Sequence, residues 1–280
     1  MRVPRFVRPP GTHAVNGVAI CTDSSALLTP SAAASLAVEV VPIEVTLEDE
    51  PFDELTSSLD WFYERLRAGS VPTASEPGAE EFATVFERAA AQGAESVVSV
   101  HVDARLSGIV PSAEEAAVGA HVPVVVVDSR TVSFGVGLCV RAAAAALAAG
   151  GAAGDAARAA SRLGATIQNA FVVRGGPGAR VALDEGWTVF RYVHGVASRI
   201  SVHPSLAEAV AELENLALES EEPIAVAIGH AGREIEPAAD ALARRLRGSG
   251  VLEVERYRVG ASVGAQTGAD SFGLFWWPQG

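Results

Sequence analysis

Residues 96–151 read SVVSVHVDARLSGIVPSAEEAAVGAHVPVVVVDSRTVSFGVGLCVRAAAAALAAGG, and this stretch decides the fold. Ser96 to Val102 is a short β-branched run. Val122 to Val127 is continuously apolar, the pattern of a strand buried on both faces. Ala113 to Ala120 between them is helical in character, and Phe134 to Ala149 is an Ala-rich helix closed by Gly150 and Gly151. Strands alternating with helices of this length are βαβ units and predict a mostly parallel sheet.

The same alternation extends upstream. Gly17 to Cys21 reads as a strand, Ser31 to Ala37 as a short helix behind Pro30, and Val38 to Leu47 as one extended segment. Leu59 to Ala68 and Ala79 to Gln92 have helical spacing, the second with Phe82, Val85, Phe86 and Ala89 on one face. A further helix runs from Asp155 to Leu163.

Downstream the rhythm changes. Strands are expected at Asn169 to Val173, Thr188 to Val193, Ile224 to Ile228 and Val251 to Arg258, with helices at Leu206 to Leu218 and Pro237 to Leu246. Gly260 to Trp277 is Gly-rich and apolar without helical period. The prediction is a two-domain α/β protein. Its N-terminal, mostly parallel sheet flanked by helices covers 17–155, and a second α/β domain covers 156–280. Residues 1–16, rich in Pro and Arg and lacking a long apolar stretch, read as a disordered or extended N-terminus and not as a signal peptide.

Composition narrows the function. The 280 residues carry a net charge of −13, with 49% hydrophobic and 20% charged residues. Nucleic acid binding needs clustered Lys and Arg, and the nearest cluster is Arg244, Arg245 and Arg247 on a helix, read as its solvated face. The same acidity disfavours docking on an anionic membrane. No apolar run reaches the ~18 residues of a bilayer span, so stable membrane insertion is not expected. Cys21 and Cys139 stand in apolar surroundings without a CxxC pattern, which fits core residues in a cytoplasmic chain.

Three motifs suggest chemistry and fall short of it. Gly260-Ala261-Ser262-Val263-Gly264 matches the G-x-S-x-G elbow of a serine hydrolase, but the residues after it read as a Gly-rich strand and no His follows Ser262. Phe134-Gly135-Val136-Gly137 is half a dinucleotide fingerprint, with Val140 where the third Gly belongs. The six histidines form no metal-ligand spacing, and His101, near Asp103, reads as a surface or capping residue. No metal and no cofactor is therefore expected, and no catalytic residue is nominated.

The stronger signal is a set of hydroxyl- and Gly-bearing turns at strand ends. They are Thr22-Asp23-Ser24-Ser25, Val71-Pro72-Thr73-Ala74-Ser75-Glu76-Pro77, Leu106-Ser107-Gly108 and Asp128-Ser129-Arg130. Ligands of open α/β sheets bind at the carboxyl ends of the strands. Hydroxyls and free amides at helix N-termini favour an anionic group there. Each turn alone is explained by capping; together they suggest a carboxylate or phosphate site.

The order CTDSSALLTP, VVPIEV, AGSVPTASEPGAEEF, ARLSGIVPSAEEA, VVVVDS with SFGVG, and VGAQTGADSFGLFW resembles the DegV family over about residues 17–277. The resemblance implies the two-domain EDD fold and a long-chain fatty acid held in a hydrophobic tunnel, its carboxylate at the strand-end turns. It implies a lipid-binding protein rather than an enzyme, with a fatty acid kinase subunit as partner. Carried over residue by residue, the lipid-binding set is Ser24, Ala74, Ser75, Ser107, Gly108, Asp128, Ser129, Gln266 and Thr267. Ala74 and Ile109 stand where the family has Thr, Gln266 where it has His, and Glu76 where it has Gln. Gly175 to Arg180 is a faint echo of the family's G-G-R-I-S segment. Phe171, Phe272, Phe275 and Trp276 are candidates to line or close the tunnel, or ordinary core. The lost polar groups predict weaker fatty acid binding or a different headgroup. They also keep a second reading open, a relative that binds another small molecule or a protein partner.

Overall fold

The computed structural model describes residues 14–174, 186–193 and 195–279. In chain order the elements begin β1 (Val18–Asp23), α1 (Pro30–Ser35), β2 (Val38–Val41), β3 (Glu44–Leu47), β4 (Glu50–Phe52), α2 (Leu59–Arg67) and β5 (Thr73–Ser75). They continue α3 (Ala79–Ala91), β6 (Ser96–His101), α4 (Ile109–Val118), β7 (Val124–Asp128), α5 (Phe134–Ala148) and α6 (Ala153–Thr166). Then come β8 (Gln168–Arg174), β9 (Trp187–Val193), β10 (Val196–His203), α7 (Leu206–Leu218), β11 (Ile224–His230), α8 (Glu236–Arg247), β12 (Glu253–Arg258), α9 (Ala261–Thr267) and β13 (Phe272–Pro278).

The chain is mixed α/β and forms two compact units, as the alternation predicts. Their division differs from the expected one. The first unit runs to Glu44 and resumes from Ser75 to Ala165; the second takes Val45 to Ala74 and everything from Thr166. The expected boundary at 155/156 falls inside α6. The extended run Val38 to Leu47 is two strands, β2 in the parallel sheet and β3 in a separate small one. Of the expected N-terminal extension, only residues 14–16 are described: Val15 bridges Val18, and Asn16 Nδ2 donates to Leu147 O at 2.7 Å.

The first unit is a parallel sheet of order β2-β1-β6-β7. Thr22 stands opposite Val100, and Val100 opposite Val127, so the carboxyl ends of β1, β6 and β7 lie level on one edge. The face of α3 that periodicity picks out, Phe82, Val85, Phe86 and Ala89, is buried. β7 is an edge strand, and Val125 is 37% exposed, against the expectation of a strand buried on both faces. A valine run looks the same at the centre and at the edge of a sheet. Two glycines set how closely helices approach the turns. A Cβ on Gly137 of α5 would sit 2.3 Å from Ala26 O, and one on Gly164 of α6 only 2.1 Å from Ser129 O. Gly137 belongs to the half-fingerprint motif, and close packing against the turn after β1 accounts for it.

The second unit has a six-stranded sheet of order β10-β9-β8-β13-β11-β12, antiparallel except for β11 and β12, and the small sheet β4-β3-β5. The inserted segment is integral to its core: Phe62, Tyr63 and Leu66 of α2 are fully buried beside Leu213 of α7 and Leu242 of α8. Burial of each large apolar side chain contributes about 1.5–3 kcal/mol. Phe272 and Trp276 of β13 lie in this same core, which is their ordinary reading. Phe275 packs against Tyr257 with ring centroids 5.9 Å apart, and Phe171 stacks on Phe190 at 5.4 Å. Residues 260–267, expected to lack a helix, contain α9, whose seven residues are too few to show a period. The Gly175 to Arg180 segment lies outside the described residues.

Gly164→Ala should destabilise the protein by about 1–3 kcal/mol, because the contact is backbone and cannot rotate away. Urea unfolding checks this; an unchanged midpoint would show that α6 and the Ser129 turn are not in tight contact.

Candidate functional site

The nominated residues divide between the units. Ser24, Ser75, Ser107, Gly108, Asp128 and Ser129 belong to the first unit; Ala74, Gln266 and Thr267 belong to the second.

In the first unit the turns are cross-linked into one edge, and the link begins at Asp23. This carboxylate is fully buried at the end of β1. Its Oδ2 lies 2.9 Å from His101 Nδ1 and accepts from Val102 N at 3.4 Å; its Oδ1 accepts from Ser25 N at 3.1 Å and from the Ser25 hydroxyl. His101 Nε2 lies 2.6 Å from Ser99 Oγ. With Nδ1–H donated to the carboxylate, Nε2 accepts from the Ser99 hydroxyl. His101 is therefore a buried bridge between two strands, not the surface or capping residue its sequence position suggests. Burial by itself would push the Asp23 carboxyl up. The hydrogen bond from His101, with the bonds from Ser25 and Val102, outweighs it and holds the carboxyl below the usual carboxylate range.

Ser99, His101 and Asp23 reproduce the order of a nucleophile–base–acid relay. All three are fully buried, and their bonds tie the turn after β1 to the end of β6. The edge then closes through β7. Ser129 N donates to His101 O at 3.0 Å, Asp103 N to Thr131 O at 3.0 Å, and Ala104 N to Asp128 Oδ1 at 3.3 Å. Asp128 Oδ1 also accepts from Arg130 N at 2.9 Å.

The nominated residues thus fall into two groups. Ser24 and Ser129 are buried braces, each 1% exposed, and Ser24 Oγ accepts from Ile43 N at 2.9 Å. Ser75 and Gly108 are exposed and Ser107 half-buried, so these face outward. Ser107 Oγ accepts from Ile109 N at 3.1 Å, and Gly108 N donates to Glu76 Oε2 at 2.9 Å at the start of α4.

In the second unit Ala74 packs against the core, Gln266 is exposed, and Thr267 Oγ1 donates to Val263 O at 3.1 Å. The G-x-S-x-G context is strand, turn and helix after all, since β12 precedes it and α9 follows. Ser262 is nevertheless engaged: its N and Oγ donate to Glu54 Oε2 at 2.9 and 3.0 Å. Gly264 is small because a Cβ there would lie 2.5 Å from Tyr63 Oη. Packing and a closed turn account for the motif.

Among the described residues no group of His, Cys, Asp and Glu could hold a metal ion, and no helix is long and apolar enough to cross a membrane. Sequence reasoning missed Ser99 and His101. Their signal was present: polar residues two apart, hence on one face, in a strand whose other residues after Ser96 are all valine.

Two α/β units, one with cross-linked polar turns along the carboxyl edge of a parallel sheet, define the class of protein to which this chain belongs: a two-unit α/β protein. The family described as "Uncharacterised protein, DegV family" matches residues 17–175. A DegV domain-containing protein of Streptomyces coelicolor is 34% identical over 274 residues, covering 92% of this chain and 97% of that one. The chain belongs to the DegV family. Its fold is similar to the solved structure of a DegV family protein from Thermus thermophilus, described for its fatty acid binding (TM-score 0.82, 26% identity, 94% of this chain and 99% of that one). A hypothetical protein from Thermotoga maritima, described as revealing fatty acid binding function, has the same fold (TM-score 0.82, 23% identity, 94% and 99%).

The depressed Asp23 carboxyl gives a pH test. Its stabilisation is present above the unfolded value near 3.8 and is lost as pH falls through the lower folded value. His101→Ala leaves a buried carboxylate short of donors, which costs about 3–5 kcal/mol at neutral pH. It should also move the acid-unfolding midpoint, followed by circular dichroism, to higher pH. Coincident acid curves for variant and wild type would mean that His101 does not hold this carboxylate.

Proposed function

We propose that the chain binds one long-chain fatty acid, the acyl chain in a hydrophobic tunnel and the carboxylate at the Ser/Gly turns of the first unit. The observation that carries this reading is the cross-linked carboxyl edge of the first unit, with Ser24 and Ser129 buried, Asp128 and Ser107 half-buried, and Ser75 and Gly108 exposed. Likeness to the fatty-acid-binding Thermus thermophilus protein supports the choice of ligand. The acyl chain dominates affinity, at about 0.8 kcal/mol per buried CH₂. On this reading the chain is a cytoplasmic carrier and not an enzyme. A carrier of this kind presents the bound acid to a separate fatty acid kinase subunit, whose ATP-dependent turnover on the loaded protein is the direct assay of that partnership.

Native mass spectrometry of the purified chain, before and after addition of palmitate or oleate, should give a one-to-one adduct, and denaturing extraction should release a long-chain acid. A persistent apo mass would overturn the fatty acid reading in favour of another small molecule or a protein partner. Ser107→Ala removes the bond to Ile109 N and should weaken fatty acid binding while costing about 1 kcal/mol of stability. Unchanged affinity would remove Ser107 from the site.

A further inference from the structure

The carboxyl end of β11, in the second unit, holds a histidine among arginines. His230 is 4% exposed, and its Nδ1 lies 3.0 Å from Arg256 Nη2. A guanidinium only donates, so Nδ1 keeps its lone pair and the proton of the neutral ring sits on Nε2. The same guanidinium donates through Nη1 to Asp240 Oδ1 on α8. Arg256 therefore joins β11 and its own strand β12 to α8, and it does so only while His230 Nδ1 carries no proton.

The other charges around the ring come from four elements. On β12, Arg258 stands opposite His230 in the strand register. Asp60 of α2 accepts from both terminal nitrogens of Arg258 at 3.1 Å and also pairs with Arg233 in the turn after β11. Glu234 of that turn pairs with Arg67 of α2. On α8, Glu236 Oε1 lies 3.9 Å from His230 Nε2, but its side chain is 49% exposed, where water and salt weaken its pull on a proton. Burial first, then Arg258 and Arg256, push the imidazole down from 6.5 to about 4. α8 begins at Ile235 without a capping side chain, so the Arg256–Asp240 pair is what ties its second turn to the sheet.

We propose that His230 is an acid-operated latch on α8. Neutral, it accepts from Arg256 and seats that guanidinium on Asp240. Protonated from solvent, it expels Arg256 and frees the first turns of α8 from the sheet. The folded ring binds a proton more weakly than the unfolded one. Stability is therefore complete well above the unfolded value of 6.5 and is lost as pH falls toward the folded value of about 4. Leu242 and Leu246 are fully buried and hold the later turns, so the release is local to the start of the helix.

Amide hydrogen exchange on the full chain at pH 6.5 and pH 5 tests this, with protection corrected for the intrinsic rate. Protection of residues 240–243 should fall roughly tenfold across that interval, the response of one proton taken up on opening. His230→Gln keeps an acceptor for Arg256 and cannot be protonated, so its protection there should stay level. A second reading uses wild type alone: ¹⁵N spectra of the imidazole should show Nδ1 unprotonated at pH 6, where a free histidine is mostly charged. Protection that falls equally in wild type and His230→Gln, or does not fall in wild type, would overturn the proposal. An imidazolium signal for His230 at pH 6 would overturn it as well, whatever the variant does.

Discussion

A carboxylate with no access to water must be matched by donors at every lone pair it keeps, and Asp23 meets that demand from three directions. Its own turn supplies Ser25. The end of β6 supplies His101 and the Val102 amide. Ser99, one full pleat below, fixes the imidazole through its other nitrogen. Because β1 and β6 are adjacent, these bonds lock the ends of two strands level with each other. His101 O then takes Ser129 N, which brings the third strand end into the same array. The level alignment of these strand ends follows from this one buried charge.

Part of the backbone cost falls at the same edge. Leu27, Arg130 and Ser133 take positive φ, a conformation that costs a non-glycine residue about 1 kcal/mol or more. All three lie in loops that follow β1 or β7. The helices behind those loops come unusually close, through Gly137 on Ala26 O and Gly164 on Ser129 O. Tight turns, close helices and a buried relay thus meet at one edge of the first unit.

The parallel sheet, the helix face of Phe82, Val85, Phe86 and Ala89, and the order of the polar turns were legible in sequence, because periodicity and turn chemistry are local. Three things were not. The pairing of His101 with Asp23 joins residues far apart in sequence, and the nearby Asp103 was the more obvious neighbour. The insertion of Val45 to Ala74 into the second unit is a matter of packing, since its strands and helix look like any others. The bond between Glu76 and Gly108 turns a replaced motif position into an internal ligand, which no spacing rule indicates.

The proposed seat of the lipid headgroup is the carboxyl edge of the first unit. An amide ¹H–¹⁵N titration of the full chain with oleate tests it most directly. The largest changes are expected at Ser75, Glu76, Gly108 and Ile109, saturating together at one equivalent. Saturable changes that leave 75–76 and 103–109 untouched would place the headgroup elsewhere and contradict it.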